Sequence, residues 1–366
     1  MKSWHGPFLR DKRRNTMDII RGFLEDCVKN GHFPGAVYSI GNTKELLAEG
    51  IVGKKGEAEG YANGEVNLET IYDIASITKP IACLALMKLF EEGKLCMDNR
   101  IDKFLPEYSG LDKGSITIFE LLTHTSVIPG QIQIYRTCRN KEEILKAIMF
   151  YSPRERIKEP VMYSSQGIIL IGEIIERLTG KSLDKVLASF VFGPLGMKNT
   201  CFNPDQSLFG NIAPTEKCPW REKVVLGQVH DENAVVMGGI CAHAGLFSTA
   251  GDMAKLCTAM LSGLDKEGKE FLKPRTIKLM TANHTEGKNL ARGLGWQKKD
   301  KSASPAGDLF TAASFGHTGF TGTSIWIDPE LDLYAVLLTN RVHPSRSNEA
   351  LIYDRKIFHN LIVLNH

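Results

Sequence analysis

The chain has 366 residues, of which 43% are hydrophobic, 24% charged and 8% aromatic. These are the proportions of a globular protein with a sizeable core, one large domain or two interlocked ones, and they exclude a disordered or fibrous chain. Forty-five Lys and Arg against forty-two Asp and Glu leave a formal charge of +3, too weak a field to make nucleic acid or an anionic membrane the default partner.

Residues 1–16 carry no apolar periodicity and are expected to form a solvated N-terminal arm that holds the basic cluster Arg10, Lys12, Arg13 and Arg14. Met17 is a second candidate start. From Met17 to Val28 the residues Ile19, Ile20, Phe23, Leu24, Cys27 and Val28 recur at helical spacing, with Asn15 or Thr16 as cap and Gly31 beyond the end. Gly35 to Ile40 and Leu46 to Val52 are short and rich in β-branched residues, and Gly41-Asn42-Thr43-Lys44 between them predicts an antiparallel hairpin. Residues 101–231 read as helices joined by loops, punctuated by prolines such as Pro106, Pro129, Pro153, Pro160, Pro194 and Pro204. Lys298 to Gly307 is expected to be a long exposed loop. Strand signals return in Ser314 to Ile327 and in Leu333 to Thr339, with Asp328-Pro329-Glu330-Leu331-Asp332 as the turn between them. Ala350, Leu351, Ile357, Phe358, Leu361 and Ile362 then give a closing helix one apolar stripe, suited to packing across the sheet beside the first helix.

The sharpest chemical signal is Ile74-Ala75-Ser76-Ile77-Thr78-Lys79-Pro80, followed by an apolar helical run from Ile81 to Phe90. Proline is tolerated only near a helix start, so Ser76 must lie within about one turn of it. There the helix dipole favours developing negative charge, and Lys79, one turn on, shares the face of Ser76. A serine hydroxyl is a poor nucleophile unless a neighbouring base, such as a desolvated lysine, accepts its proton. Ser76 is thus a nucleophile for acyl transfer or a helix cap. Ser182-Leu183-Asp184-Lys185 repeats the spacing, but Ser182 follows Gly180 and reads as an N-cap. Tyr163-Ser164-Ser165 precedes a helix from about Gln166 to Leu178. A phenol there could take or relay a proton, and a tyrosine packed at a domain edge has the same signature. Phe315-Gly316-His317-Thr318-Gly319-Phe320 opens a strand. Gly316 and Gly319 remove side chains where a ligand could approach the backbone, while His317 and Thr318 offer polar groups on opposite strand faces.

Together these segments resemble the serine β-lactamase-like family, which includes class C β-lactamases, low-molecular-weight penicillin-binding proteins and related esterases. Order and separation match, and the likeness extends to Phe33-Pro34-Gly35-Ala36, Leu121-Leu122-Thr123-His124-Thr125-Ser126 and Gly245-Leu246-Phe247-Ser248-Thr249-Ala250. The resemblance implies Ser76 as the acylated nucleophile, with Lys79 and Tyr163 sharing the proton transfers. It also implies an oxyanion hole from the N–H groups of Ser76 and Phe320, with Gly319 keeping the strand clear for the acyl group. Two departures stand out. Ser165 occupies the place of an asparagine amide able to both donate and accept. His317 replaces a lysine, so a group that can be neutral stands where a substrate carboxylate would pair. Both suit a small ester better than a β-lactam or an acyl-D-Ala-D-Ala peptide. Segments like Val229-His230-Asp231-Glu232-Asn233-Ala234 lie near the cleft in a subgroup of the family, which makes His230 and Asp231 candidate rim residues.

The expected fold is α+β: a mainly antiparallel sheet flanked by the terminal helices, formed by residues 17–100 and 232–366. It packs on a mostly helical subdomain of residues 101–231, with the site at their junction. The expected reaction is ester hydrolysis through a Ser76 acyl-enzyme, with an ester, amide or peptide as the small-molecule partner and no metal or organic cofactor. D,D-carboxypeptidase, penicillin-binding or β-lactamase activity is the alternative, and a non-catalytic binding or regulatory protein is the alternative of another class. His230, Asp231, Glu232 and His243 lack metal-ligand spacing and suit loop hydrogen bonding. Gly180-Lys181-Ser182 lacks the earlier glycine of a phosphate loop, since Ile175 stands there. The eight cysteines form no Cys-x-x-Cys pair and read as reduced core residues. Neither a signal-peptide stretch nor a membrane-spanning run is apparent, so the expected compartment is the cytoplasm, without a nucleic-acid or membrane partner.

Overall fold

Alternation along three strands explains how the sheet is buried. In Gly35–Gly41, Ala36, Tyr38 and Ile40 join one apolar cluster and Val37 another. In Leu333–Thr339, Leu333, Ala335 and Leu337 take the first side and Tyr334, Val336 and Leu338 the second, while Trp326 opposes Ile325 and Ile327 in Ser324–Asp328. Successive strand residues point to opposite faces, so two clusters mean that both faces are covered. The strands run in the order Leu46–Gly53, Gly35–Gly41, Leu333–Thr339, Ser324–Asp328, Phe315–Thr318 and Gln297–Lys298, every neighbour antiparallel. The predicted α+β sheet, built from both ends of the chain, is therefore present. This computed structural model describes residues 7–61, 63–126, 128–130, 132–151 and 159–366, with side chains from residue 18.

The first helix, Pro7–Lys29, and the last, Leu351–Leu364, cover one face. Ile20, Leu24, Leu351, Phe358 and Ile362 meet Tyr38, Trp326 and Leu337 there. The other face packs on the helices Thr78–Glu91, Ser165–Thr179 and Ala250–Ser262. Thr78–Glu91 is buried all round, from Thr78 to Met87 and again at Leu89, as expected of a helix enclosed by a core. It is this central position that brings Ser76, just ahead of the helix, to the boundary between sheet and helices.

Several local expectations change. The first helix starts at Pro7 rather than at Met17, so the described part of the expected arm, with its basic cluster, is helical. Proline at the first helical position and a run of Leu, Arg and Lys favour a helix without any apolar stripe. The strand signal from Ser314 to Ile327 is a hairpin of Phe315–Thr318 and Ser324–Asp328, closed by a turn in which Gly319 N–H donates to the Thr323 carbonyl at 2.7 Å. The loop after Lys298 is less exposed than expected: Lys298, Ser304 and Ala306 are buried, and His359 Nδ1 bonds the Pro305 carbonyl at 2.8 Å. Ser182 occupies its cap position without a capping hydrogen bond, and the Glu176 carboxylate accepts from Leu183 N–H at 2.8 Å instead. Past Pro194 the helical middle gives way to short strands, with Cys201–Phe202 pairing with Leu246–Ser248, which also pairs with Tyr72–Asp73. All eight cysteines are unpaired, but Cys96 lies on the surface rather than in the core. Among the described residues no helix is long and apolar enough to cross a membrane.

Phe358 has no exposed surface and meets the Tyr38 ring edge-on, with centroids 6.2 Å apart. Phe358→Ala is expected to remove about 3–5 kcal/mol of stability, read as a lower urea midpoint.

Candidate active site

Ser76 sits in a single 3-10 turn, Ala75–Ile77, that runs into the helix Thr78–Glu91. The turn is entered through Ala75 at φ +47°, a left-handed conformation that costs a non-glycine residue about 1 kcal/mol or more. Asp73 holds it: one carboxylate oxygen accepts from Ala75 N–H at 2.8 Å and the other from His230 N–H at 2.6 Å. The Asp73 carbonyl accepts from the Thr321 hydroxyl at 2.6 Å. Burial raises the pKa of this carboxyl group. One residue thus ties the Ser76 turn to the His230 segment and to the hairpin turn after Thr318.

Lys79 is 1% exposed. Its Nζ donates to Ser76 Oγ at 2.9 Å and to the His243 carbonyl at 2.8 Å, and lies 4.9 Å from the centre of the Tyr163 ring. Tyr163 is bracketed by His124, whose carbonyl accepts from Met162 N–H at 2.9 Å and whose Nδ1 accepts from Ser164 N–H at 3.1 Å. Burial, reinforced by Arg292 and Lys79, pushes the His124 pKa well below the ordinary value. A neutral ring is what an accepting Nδ1 requires. Burial, with the charges of Lys79 and Arg292, likewise brings His317 down to about 3. Its Nδ1 bonds the Thr318 carbonyl at 2.9 Å, which leaves a buried, unpartnered Nε2 as an acceptor.

The cleft has two lobes that meet at Ser76 and Phe320. Ser165, His230 and Asp231 line one, with Tyr135 and Asn233. Tyr163, His317, Thr318 and Gly319 line the other, together with Arg292, Arg341 and Arg355. His317 and Thr318, expected on opposite strand faces, both border this lobe. The half-exposed Phe320 ring stacks on His230 at 5.5 Å and lies 4.8 Å from the Arg341 guanidinium carbon. The predicted site residues Ser76, Lys79, Tyr163, Ser165, His230, Asp231, His317, Thr318, Gly319 and Phe320 are therefore gathered in one place.

A serine bonded to a buried lysine amine, beside a tyrosine, can exchange protons with an acyl substrate. A family profile described as beta-lactamase matches residues 20–358. The chain belongs to the β-lactamase family. A relative from Escherichia coli K12, named as a D-alanyl-D-alanine carboxypeptidase, is 34% identical over 308 residues, covering 75% of this chain and 70% of the relative. Among solved structures, EstCE1, a hydrolase with promiscuous acyltransferase activity, superposes with a TM-score of 0.74 at 21% identity, covering 95% of this chain and 99% of that one. A penicillin-binding protein homologue from Caulobacter crescentus gives 0.73 at 18% identity, covering 93% and 96%. The fold is that of β-lactamases, and this family member is a serine hydrolase.

Two readings of the sequence need correction. Gly316 and Gly319 do not make way for a ligand. A Cβ on Gly319 would strike Thr323 Oγ1 and approach the Ile74 carbonyl to 2.6 Å, and one on Gly316 would strike the Ile325 carbonyl. Gly316 lets the two hairpin strands pack closely, and Gly319 lets the hairpin press against the Ser76 turn. Sequence reasoning also passed over Asp73, Arg292, Arg341, Arg355 and the side chain of His124. Only His124 had a signal, lying in the Leu121–Ser126 segment that carries the family resemblance; Arg292 and Arg341 sit in segments without pattern, and Arg355 lies in the closing helix, whose stripe marks only its apolar residues.

Around Asp231 the hydrogen bonding is dense. Asp231 Oδ1 lies 2.9 Å from His243 Nε2 and accepts from Ala234 N–H at 2.8 Å, while His243 Nδ1 lies 2.9 Å from Cys241 Sγ. Burial alone would lower the His243 pKa, but Cys241 and Asp231 outweigh it and raise it to about 10. Burial alone would raise Asp231, yet the His243 charge and hydrogen bond hold it below the usual carboxylate range. Neighbouring Glu216 is likewise held down, at about 2, because the Arg346 hydrogen bonds and the nearby His230 outweigh its burial. Two described groups bring three metal-type ligand atoms together, Cys27, His32 and Asp354, and Glu216, Cys218 and Glu232. In the first, His32 already bonds Asp354 at 2.7 Å, and in the second Arg346 bonds both carboxylates.

Gly319→Ala is expected to cost about 1–3 kcal/mol in chemical unfolding, along with activity. A glycine that served only the substrate would leave stability unchanged. The Asp231–His243 pair adds a pH signature. With the His243 pKa raised, its contribution is complete below the ordinary 6.5 and is lost as pH rises through about 10. With Asp231 depressed, its own contribution is lost only as pH falls below the ordinary 3.8. The stability gap between the native protein and Asp231→Asn should be widest near pH 5–6 and narrow towards pH 10 in urea titrations.

Proposed function

We propose that this hydrolase works through a Ser76 acyl-enzyme on a substrate that carries a carboxylate beside the scissile acyl bond. The observation that carries the nucleophile assignment is the 2.9 Å hydrogen bond between Lys79 Nζ and Ser76 Oγ at the point where both lobes meet. Ser76 Oγ attacks the acyl carbon, and its proton passes through Lys79 and Tyr163 to the leaving oxygen or nitrogen. Water then attacks the acyl-enzyme by the reverse relay, releasing the acid and restoring the hydroxyl. The N–H groups of Ser76 and Phe320 serve as oxyanion donors, each worth about a hundredfold or more in rate.

The carboxylate is inferred from the second lobe. Arg292, Arg341 and Arg355 are each at most 7% exposed, and none forms an ion pair with a described carboxylate. Among the described residues, Nε of Arg292 and of Arg355 has no hydrogen-bond partner, and the hydrogen bonds of Arg341 run to the carbonyls of Arg346 and Asn348. Burial lowers the pKa of all three, bringing Arg355 to about 10. Buried cations without counter-charge are costly, and an incoming carboxylate offsets that cost. Neutral His317 cannot supply the charge, so the arginines take over the role it leaves vacant. An ester bearing a carboxylate satisfies this lobe. So does the free C-terminus of a D,D-peptide, which is the specific support for the carboxypeptidase reading.

A fluorophosphonate should add one adduct at Ser76, mapped by mass spectrometry and absent from Ser76→Ala. A folded protein that takes none would favour the non-catalytic reading. Arg292→Gln and Arg355→Gln should each raise KM about tenfold or more for a carboxylate-bearing ester or an acyl-D-Ala-D-Ala peptide. Their effect on a neutral aryl ester should be small. An equal effect on both substrates would remove the anionic requirement.

A further inference from the structure

The oxygen that receives the second Lys79 hydrogen bond belongs to a residue clamped at both ring nitrogens. His243 is fully buried, with Nε2 on Asp231 and Nδ1 on Cys241, while its own carbonyl meets Lys79 Nζ at 2.8 Å. Asp231 is itself fixed, since the oxygen that meets His243 also caps the helix Glu232–Val236. A ring bonded on both sides cannot turn, so the backbone attached to it is held, and the amine bonded to that backbone is held in turn.

We propose that Asp231 and His243 are positioning residues for acyl transfer, their ion pair fixing the carbonyl that aims the Lys79 amine at Ser76. The inference rests on the assignment of Ser76 and Lys79 above. It gives Asp231 a different role from that of a rim residue touching substrate, although its side chain keeps 35% of its surface exposed in the cleft. An imidazolium donates from both nitrogens, so both clamps hold across the neutral range. A neutral ring keeps its Nε2–H on Asp231 and holds Cys241 only by accepting from the thiol, a weaker donor. His230, the residue just before the cap, has no such link to Lys79 among the described residues. Its ring lies against Phe320 and its Nε2 is 3.5 Å from Glu216.

The test uses Asp231→Asn, which keeps a cap acceptor for the helix, and His243→Gln, which keeps the carbonyl but not the ring. Each is measured for steady-state turnover of one ester and for the rate of fluorophosphonate labelling at Ser76, per folded molecule counted from melting curves. The expected result is a ten- to hundredfold loss in kcat and in labelling rate, with KM within about threefold of the native value. The double variant should be no worse than the poorer single one, because the pair acts as a unit. A raised KM with native kcat would return Asp231 to the substrate rim, and labelling at the native rate in both variants would remove the positioning role. A native protein that takes no label at Ser76 would overturn the nucleophile assignment itself. That outcome is distinct, because the positioning test compares variants with a native protein that does label.

Discussion

Burial of the Lys79 amine is the constraint on which the site is built. An amine removed from water costs several kcal/mol unless its hydrogen bonds are replaced, and here the replacements come from separate stretches of chain. Ser76 supplies a hydroxyl from one turn before, His243 a carbonyl from 164 positions on, and Tyr163 a ring face from the helical region. None of these segments can place the amine alone. The reactive geometry therefore exists only when sheet, central helix and helical layer are docked together.

Asp73 performs the matching task on the backbone. It stabilises the left-handed Ala75 ahead of Ser76, receives the N–H of His230, and offers its carbonyl to Thr321. The hairpin turn can reach this point because Gly319 has no side chain, so Thr323 Oγ1 also bonds the Ile74 carbonyl at 3.2 Å. Strain at Ala75 is thus offset by a buried hydrogen-bonded junction. This agrees with the observation that unusual backbone conformations persist only where the surroundings over-determine them.

The two sides of the cleft differ in charge logic. Around Asp231, Glu216 and Glu232 every described acid has a cationic or backbone partner. Across Phe320, the arginines face His317, a neutral ring, and one another. A satisfied network keeps its shape without ligand, whereas an unpaired one gains most when a ligand arrives. One lobe is therefore suited to keeping a fixed shape and the other, on the proposed function, to gripping an anionic substrate.

Local pattern made much of this legible. The hairpin, the central helix and the closing helix followed from periodicity and turn residues, and Ser76, Lys79 and Tyr163 stood out because their chemistry is confined to short motifs beside helix starts. The sequence by itself determined the family, most of the elements and the candidate side chains Ser76, Lys79 and Tyr163, since each is encoded within about ten consecutive residues. Only the tertiary structure decided that Gly319 serves packing, that three arginines from separate stretches of chain converge on one lobe, and that the His243 carbonyl meets Lys79. These are relations between residues far apart in the chain. They follow from which strands pair and which helices cover them, information that no local spacing contains.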